Sequence, residues 1–253
     1  MRLKAIKHQF VILILVALSF SCKNAANETE FKSIFNGKDL EGWEGDATYW
    51  RVENGVLIGE VTPETILKRN SFIIYKKEQP ENFELTLEYK ITDSGNSGIN
   101  YRSSLIETVP FALKGYQCDI DGMNRYTGQN YEEKKRTTLA YMGQTVTIPQ
   151  MPDSIPKQNI RKNVKRNCWQ TRDVSSTKLK SDLISTIKPN HWNTIHLIVK
   201  DNKMQHYVNG ILFSEVTDLD EVNRSSKGYI GVQVHVGPPM KVEYRAIKLK
   251  SLK

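Results

Sequence analysis

Alternating apolar and polar residues recur along the chain from about residue 49 onward. In Phe83–Lys90, aromatic and leucine side chains alternate with Glu, Thr and Lys. This period of two predicts a β-strand with one buried face. Ile195–Val199, Ile230–Val236 and Val242–Ile247 show the same kind of apolar row. We therefore expect each of these stretches to be a strand that packs one side on a hydrophobic core.

Two Asn-Gly dipeptides lie between apolar stretches. Asn54-Gly55 divides Tyr49–Glu60, and Asn209-Gly210 divides Met204–Val216. Asn-Gly is the strongest short-range signal for a two-residue β-hairpin turn. Antiparallel strands joined by tight turns, with almost no long helical period, indicate an all-β sandwich or jelly roll.

The stretch Pro149–Asn190 differs from the rest of the chain. It is rich in Lys, Asn, Ser and Pro, and only Leu179, Leu183 and Ile187 suggest a short helix. Loops of this length are uncommon and usually functional. We find no internal repeat and no second domain, so residues 31–253 are predicted to form one domain.

The first 21 residues have the organisation of a signal peptide. Basic residues precede an apolar run, Phe10–Leu18, that is too short to span a bilayer, and small residues lead to Cys22. Cys22 resembles the lipidated cysteine of bacterial lipoproteins, although Leu18 lies one position farther from the cysteine than usual. The alternative is an ordinary secretory signal in which Cys22 has no special role. Residues 22–30 are predicted to be a flexible tether. We expect an exported, lipid-anchored protein that faces the periplasm and meets the membrane only through its anchor.

Charge and cysteine content narrow the class of partner. The formal net charge is +8, but the cations are scattered except in Lys157–Arg172, and the chain has no aromatic-basic motif of the nucleic-acid-binding kind. A solvated basic loop is favoured, with no nucleic-acid partner.

Cys118 and Cys168 remain outside the leader, and either a disulfide or two thiols is compatible with an oxidising compartment. No His/Cys cluster has the spacing of a zinc site.

Three predicted strands carry an unusual polar side. A strand side that is merely solvated usually carries Lys, Glu and Thr, whereas these carry amide, carboxyl, guanidinium and imidazole groups that suit sugar hydroxyls. For one strand alone, an exposed polar face would be the simpler interpretation. If the three strands are neighbours, they form one concave polar floor. The polar residues are Asn100, Arg102, Gln117, Asp119, Asp121, Tyr229, Gln233 and His235.

Three of these side chains are the candidates for chemistry. His235 lies off the valine row, so it can act as a base or as a hydroxyl donor. Asp119 in mid-strand is costly unless it is paired or lies in a cleft. Arg102 is its natural partner. The other histidines of the domain, His191, His196 and His206, are expected at strand edges or on the surface.

The segment Asp121–Arg136 is predicted to be a loop because of its Gly and Asn content. Tyr126 and Tyr131 can stack on sugar rings. Glu132 and Glu133 are possible acid–base groups, and a solvated charge run is an equally good interpretation of them.

Six segments, distributed over nearly all of residues 31–253, resemble the motifs of the 3-keto-disaccharide hydrolase domain family. They are Phe35–Trp43, Asn96–Ser103, Gly115–Gly122, Tyr126–Glu132, His191–Gly210 and Gly231–Leu249. The resemblance implies a concanavalin A-like jelly roll, occurrence in bacterial lipoproteins and activity on glycosides oxidised at C3. The matching motif positions are Asn96, Arg102, Gln117, Asp119, Gly128, Tyr131, Gln233 and His235. Arg245-Ala246 departs from the family's arginine-asparagine pair. The loop Pro149–Asn190 is longer than in the shortest members of the family, so the resemblance does not determine which substrate the chain takes.

A 3-keto sugar predicts a simple mechanism. The ketone acidifies the C2 proton, so one base, His235 or Asp119, can remove it, and the enolate then expels the group at C1. Arg102, with Gln117 or Gln233, would stabilise the enolate oxygen. The predicted sugar-binding residues are Asn96, Asn100, Gln117, Asp121, Tyr126, Tyr131, Glu132 and Gln233. No cofactor is predicted, although Asp119 or Asp121 could hold Ca²⁺. The alternative function is a carbohydrate-binding lipoprotein without catalysis.

Overall fold

The computed structural model describes residues 30–153 and 172–253. Within these ranges 17 strands form two sheets, and one short helix, α1 (Lys180–Ile184), accompanies them. The predicted all-β jelly-roll sandwich is confirmed. In the same ranges, no helix is both long and apolar enough to cross a membrane. The predicted leader, Cys22, Cys168 and most of the basic loop lie outside the described residues, so those expectations stay predictions.

The larger sheet has ten strands, with β11 and β15 parallel and the other pairs antiparallel. In spatial order it contains β12 (Asp173–Thr177), β11 (Gln144–Ile148), β15 (Ile211–Asp218), β14 (Lys203–Val208), β13 (Asn193–Lys200), β6 (Phe83–Ile91), β17 (Met240–Ser251), β4 (Val56–Val61) and β3 (Trp50–Glu53). The short strand β1 (Lys32–Ser33) pairs with β17.

The smaller sheet has seven strands, all in antiparallel pairs. In spatial order it contains β10 (Thr137–Ala140), β9 (Asn130–Glu133), β8 (Leu113–Asp121), β7 (Asn96–Leu105), β16 (Tyr229–Val234), β5 (Ser71–Tyr75) and β2 (Trp43–Glu44). One hydrophobic cluster fills the space between the sheets and takes in alternate residues of both.

The predicted strands and hairpins agree with the structure. Strand β6 alternates between buried and half-buried residues along its whole length. Asn54-Gly55 and Asn209-Gly210 both have positive φ at the two central positions, as a type I′ turn requires. Cys118 is a thiol buried in the core.

The stretch Pro149–Asn190 is more structured than expected. Helix α1 buries Leu183, as the apolar spacing predicts, but Leu179 is exposed. Asp173–Thr177 forms β12 at the edge of the larger sheet, which we did not predict. All five of its residues are exposed, so the strand lacks the apolar alternation that marks the others.

His206 is not a surface residue, contrary to expectation. It occupies the buried row of β14 together with Met204 and Val208, so it lies between the two sheets. Its Nε2 lies 2.8 Å from the hydroxyl of Tyr101. Burial lowers the pKa of His206 to about 4, which keeps the ring neutral.

Candidate functional site

The three strands with an unusual polar side are neighbours. Strand β7 lies between β8 and β16 in the smaller sheet, and Gly98 pairs with Asp119 while Asn100 pairs with Gln117. The apolar residues of all three strands point into the core. Their polar residues therefore belong to the opposite side of the same sheet, as the sequence predicts.

A cleft of about 400 Å³ opens on this polar side. Six predicted site residues line it: Asn96, Gln117, Asp119, Tyr126, Tyr131 and His235. Glu133, one of the two possible acid–base groups, and two residues that were not predicted, Gln129 and Thr138, complete the wall. The cleft therefore combines carboxyl, amide, imidazole and phenol groups, the set expected for binding and reacting with a sugar.

Asp119 lies on the floor of this cleft in a cradle of two amides. Gln117 Nε2 donates to its Oδ1 at 2.6 Å, and Gln129 Nε2 donates to its Oδ2 at 2.5 Å. Burial raises the pKa of Asp119 to about 7. The two amide hydrogen bonds lower this pKa, whereas the nearby carboxylates of Glu133 and Asp121 raise it further. A carboxyl group with a pKa near neutrality can both accept and donate a proton under working conditions.

This raised pKa has a measurable consequence for stability. The pKa of Asp119 is higher in the folded protein than in the unfolded chain, so the protonated carboxyl group favours the folded state. This contribution to the free energy of unfolding is complete below about pH 4 and is lost as the pH rises through about 7. The free energy of unfolding of the wild type, relative to Asp119→Asn, should fall by on the order of 4 kcal/mol over that range. Urea denaturation of both proteins at several pH values measures this. His206 titrates in both proteins, so its effect cancels when the two free energies of unfolding are subtracted. If that difference does not change with pH, the raised pKa of Asp119 is contradicted.

His235 follows directly after β16 and is half-exposed at the rim of the cleft. Its Nδ1 lies 2.6 Å from the carbonyl oxygen of Val236. Because a carbonyl oxygen only accepts, Nδ1 carries the hydrogen, and in the neutral ring Nε2 keeps its lone pair. Nε2 is thus the nitrogen of His235 that can exchange a proton with a ligand in the cleft of Asp119.

The sequence profile of the family described as the 3-keto-alpha-glucoside-1,2-lyase-like domain matches residues 30–250. The chain belongs to this family. The match includes both sheets and every residue that lines the cleft. The family predicted from the six sequence motifs is therefore confirmed.

Solved structures show the same fold as this 3-keto-alpha-glucoside-1,2-lyase-like domain. A candidate glycosyl hydrolase from Parabacteroides distasonis is 17% identical, with a TM-score of 0.56 over 88% of this chain and 100% of the other. A Bacillus subtilis protein with a galectin-like fold is 12% identical, with a TM-score of 0.53 over 88% and 98%. Carbohydrate-binding module CBM66 from Bacillus subtilis is 13% identical, with a TM-score of 0.50 over 83% and 96%. Among curated proteins no match is found.

In this 3-keto-alpha-glucoside-1,2-lyase-like domain, Arg102 does not reach the cleft. The register of β7 shifts between Tyr101 and Ser104, and Arg102 has a φ of 44° at this bulge. Its guanidinium donates to the carbonyl oxygens of Glu81 and Asp201, at 2.7–2.9 Å. The expected pairing with Asp119, and with it the enolate-stabilising role, is wrong because the bulge redirects the side chain.

Glu132 also lies away from the cleft. Strand β9 pairs Glu132 with Tyr116, whose ring is in the core, so the Glu132 carboxylate is wholly buried on the inner side. Burial alone would raise its pKa, but Arg136 and Lys135 hold the pKa at about 2. Glu132 therefore stabilises the fold and is not a sugar ligand. Its neighbour Glu133 is the one that faces the cleft.

Three further predicted sugar ligands are enclosed by the protein. The Asp121 carboxylate accepts from Arg125 and from the amide nitrogens of the turn that follows β8. Asn100 is buried and donates to Ser103 Oγ at 3.3 Å. Gln233 is buried beneath the floor, and its Nε2 lies 3.5 Å from Gln117 Oε1. None of these three lines the cleft, so their expected direct contact with sugar is not formed.

Gln129 could have been found from the sequence, and Glu133 could have been distinguished from Glu132. Strand β9 alternates, with Asn130 and Glu132 buried inward and Tyr131 on the side of Gln117. Applying the two-residue period to this segment, rather than treating it as a loop, would have separated Glu133 from Glu132. The described residues contain no group of three or more His, Cys, Asp or Glu suited to an ion.

Proposed function

We propose that this domain cleaves 3-keto-glycosides, including 3-keto-disaccharides, in the cleft that contains Asp119 and His235. The observation that carries the proposal is that one cleft holds the Asp119 carboxyl group, fixed by two amides, and the His235 imidazole, whose Nδ1 is held by the Val236 carbonyl. Elimination beside a ketone needs one group to take a proton and one to give a proton. The family's description as 1,2-lyase-like supports a reaction across C1 and C2.

Asp119 is the better base in this proposal. Its two amide donors occupy one lone-pair site on each oxygen, which leaves the carboxylate further sites for accepting a proton. The ketone at C3 acidifies the C2 proton, and Asp119 removes it to give the enolate. The enolate electrons then form the C1–C2 double bond while the C1–O bond breaks.

His235 completes the step at the leaving group. Its protonated ring donates from Nε2 to the departing glycosidic oxygen, while Nδ1 keeps its bond to the Val236 carbonyl. The products are an enone and the free alcohol, and water can add across the double bond to give the 3-keto sugar. Solvent restores the proton on His235 and removes the one on Asp119.

The remaining cleft residues position the sugar. Tyr126 is 41% exposed on the cleft wall, and Tyr131 lies on the same wall, so both can stack on a sugar ring. Asn96 lines the cleft and takes the place of Arg102 as the donor toward the enolate oxygen. Gln117 and Gln129 act by holding Asp119 in place.

The test compares a 3-keto-glucoside that carries a chromogenic leaving group with its unoxidised parent. We expect release from the keto form alone, because only that form has an acidified C2 proton. Release from both forms equally would contradict elimination through an enolate. Release from neither, together with calorimetric binding of either sugar, would instead identify a carbohydrate-binding protein.

A further inference from the structure

A second cleft of about 480 Å³ adjoins the one that contains Asp119. Asn96 and His235 line both clefts, so these two residues mark the boundary between them. The apolar side chains of the second cleft are Met123, Val236, Pro238 and Met240.

The two clefts differ in chemistry. The first is lined mainly by amides, carboxyl groups and phenols, which suit the hydroxyls and ring of a sugar. The second is also lined by Asp93, Ser94 and Arg125, but most of the surface it exposes is thioether and hydrocarbon, and Met123 is 62% exposed and Val236 40% exposed there. Apolar surface left open beside a polar site is typical of a place where a ligand's apolar part binds.

We propose that the second cleft binds the leaving group, and that this group is an apolar aromatic aglycone. The inference rests on the proposed function, and it adds the class of substrate. His235 lies at the boundary, which is where the bond between a sugar in the first cleft and an aglycone in the second must lie. The residue that protonates the leaving oxygen is therefore also the residue that separates the two halves of the site.

The size of the second cleft favours a leaving group larger than one ring. A cavity of about 150 Å³ is enough to hold a benzene molecule. The cleft of about 480 Å³ therefore has room for two or three fused rings. Met side chains adapt to flat aromatic rings through polarizable sulfur contacts, which Met123 and Met240 can supply.

The test uses Met123→Ser and two substrates, 4-methylumbelliferyl 3-keto-glucoside and methyl 3-keto-glucoside. We expect Met123→Ser to raise KM for the umbelliferyl substrate roughly fivefold, because apolar contact is lost. KM for the methyl substrate and kcat for both should stay unchanged. Met123→Leu should restore the wild-type KM. Val222→Ser is the matched control, since Val222 is 44% exposed and lines neither cleft.

The outcomes separate this inference from the proposed function. An unchanged KM for the umbelliferyl substrate, or an equal rise for both substrates, would overturn the aglycone assignment while leaving the elimination reaction intact. If the wild type releases nothing from either substrate, the proposed function fails and the aglycone assignment fails with it.

Discussion

Replacing Asp119 with asparagine is expected to lower kcat on a 3-keto-glucoside about 10³-fold, within the range that a positioned base contributes. The amide cannot accept the C2 proton, whereas its shape matches the carboxyl group that Gln117 and Gln129 hold. Steady-state release of a chromogenic leaving group measures the loss. A variant that keeps wild-type kcat would remove Asp119 from the mechanism.

His235→Gln tests whether Asp119 acts as the base and His235 as the proton donor to the leaving group. Its kcat should also fall, about 10²-fold or more, because the leaving oxygen loses its proton donor. In deuterated water, however, His235→Gln should still exchange the C2 proton, since Asp119 can form the enolate without completing the elimination. Asp119→Asn should show no exchange. The opposite pattern would make His235 the base.

Glu133→Gln is the matched control within the same cleft. Glu133 raises the pKa of Asp119 by charge repulsion, and both residues line the cleft. Removing that charge should move the rise of kcat/KM with pH toward lower pH while activity is retained. A complete loss of activity would show that Glu133 takes part in the chemistry itself.

The largest expected effect on stability is that of Arg136→Met. Arg136 is wholly buried, bonds Glu132 at 2.6 Å and Asp218 at 2.6 Å, and lies 3.2 Å from Asp220. Methionine has a similar length but no charge, so these carboxylates would remain buried without their main partner. Breaking a buried ion pair in this way costs about 3–5 kcal/mol. Urea unfolding should show a loss of this size.

Arg51→Met provides the comparison for Arg136→Met. Arg51 also contacts two carboxylates, those of Glu53 and Glu60, but its side chain is 40% exposed. Water stabilises the charges that would be left, so the expected loss is within about 1 kcal/mol. Equal losses in the two variants would contradict the view that burial of the Arg136 cluster sets its importance.

Much of the fold and part of the site could be predicted from the sequence. The alternation in Phe83–Lys90 and the two Asn-Gly turns are local signals, since strand period and turn conformation depend on neighbouring residues. The same alternation identified Gln117, Asp119 and His235 as a polar side distinct from a merely solvated one. The family motifs then pointed to the chemistry of a 3-keto sugar.

The errors share one physical cause, which is that side-chain direction depends on pairing. Arg102 follows the strand pattern in the sequence, but a bulge at that residue sends its guanidinium to the carbonyls of Glu81 and Asp201. Glu132 and Glu133 are adjacent and chemically alike, yet the pairing of β9 with β8 buries one and exposes the other to the cleft.

The sequence by itself determined the all-β class, the hairpins, the family and the polar strands that form the floor. The tertiary structure alone decided that Gln129 reaches Asp119, that burial and neighbouring carboxylates raise the Asp119 pKa to about 7, and that His235 lies between a polar and an apolar cleft. These properties depend on which residues the strand pairing and the turns bring together, and a local pattern carries no information on that packing.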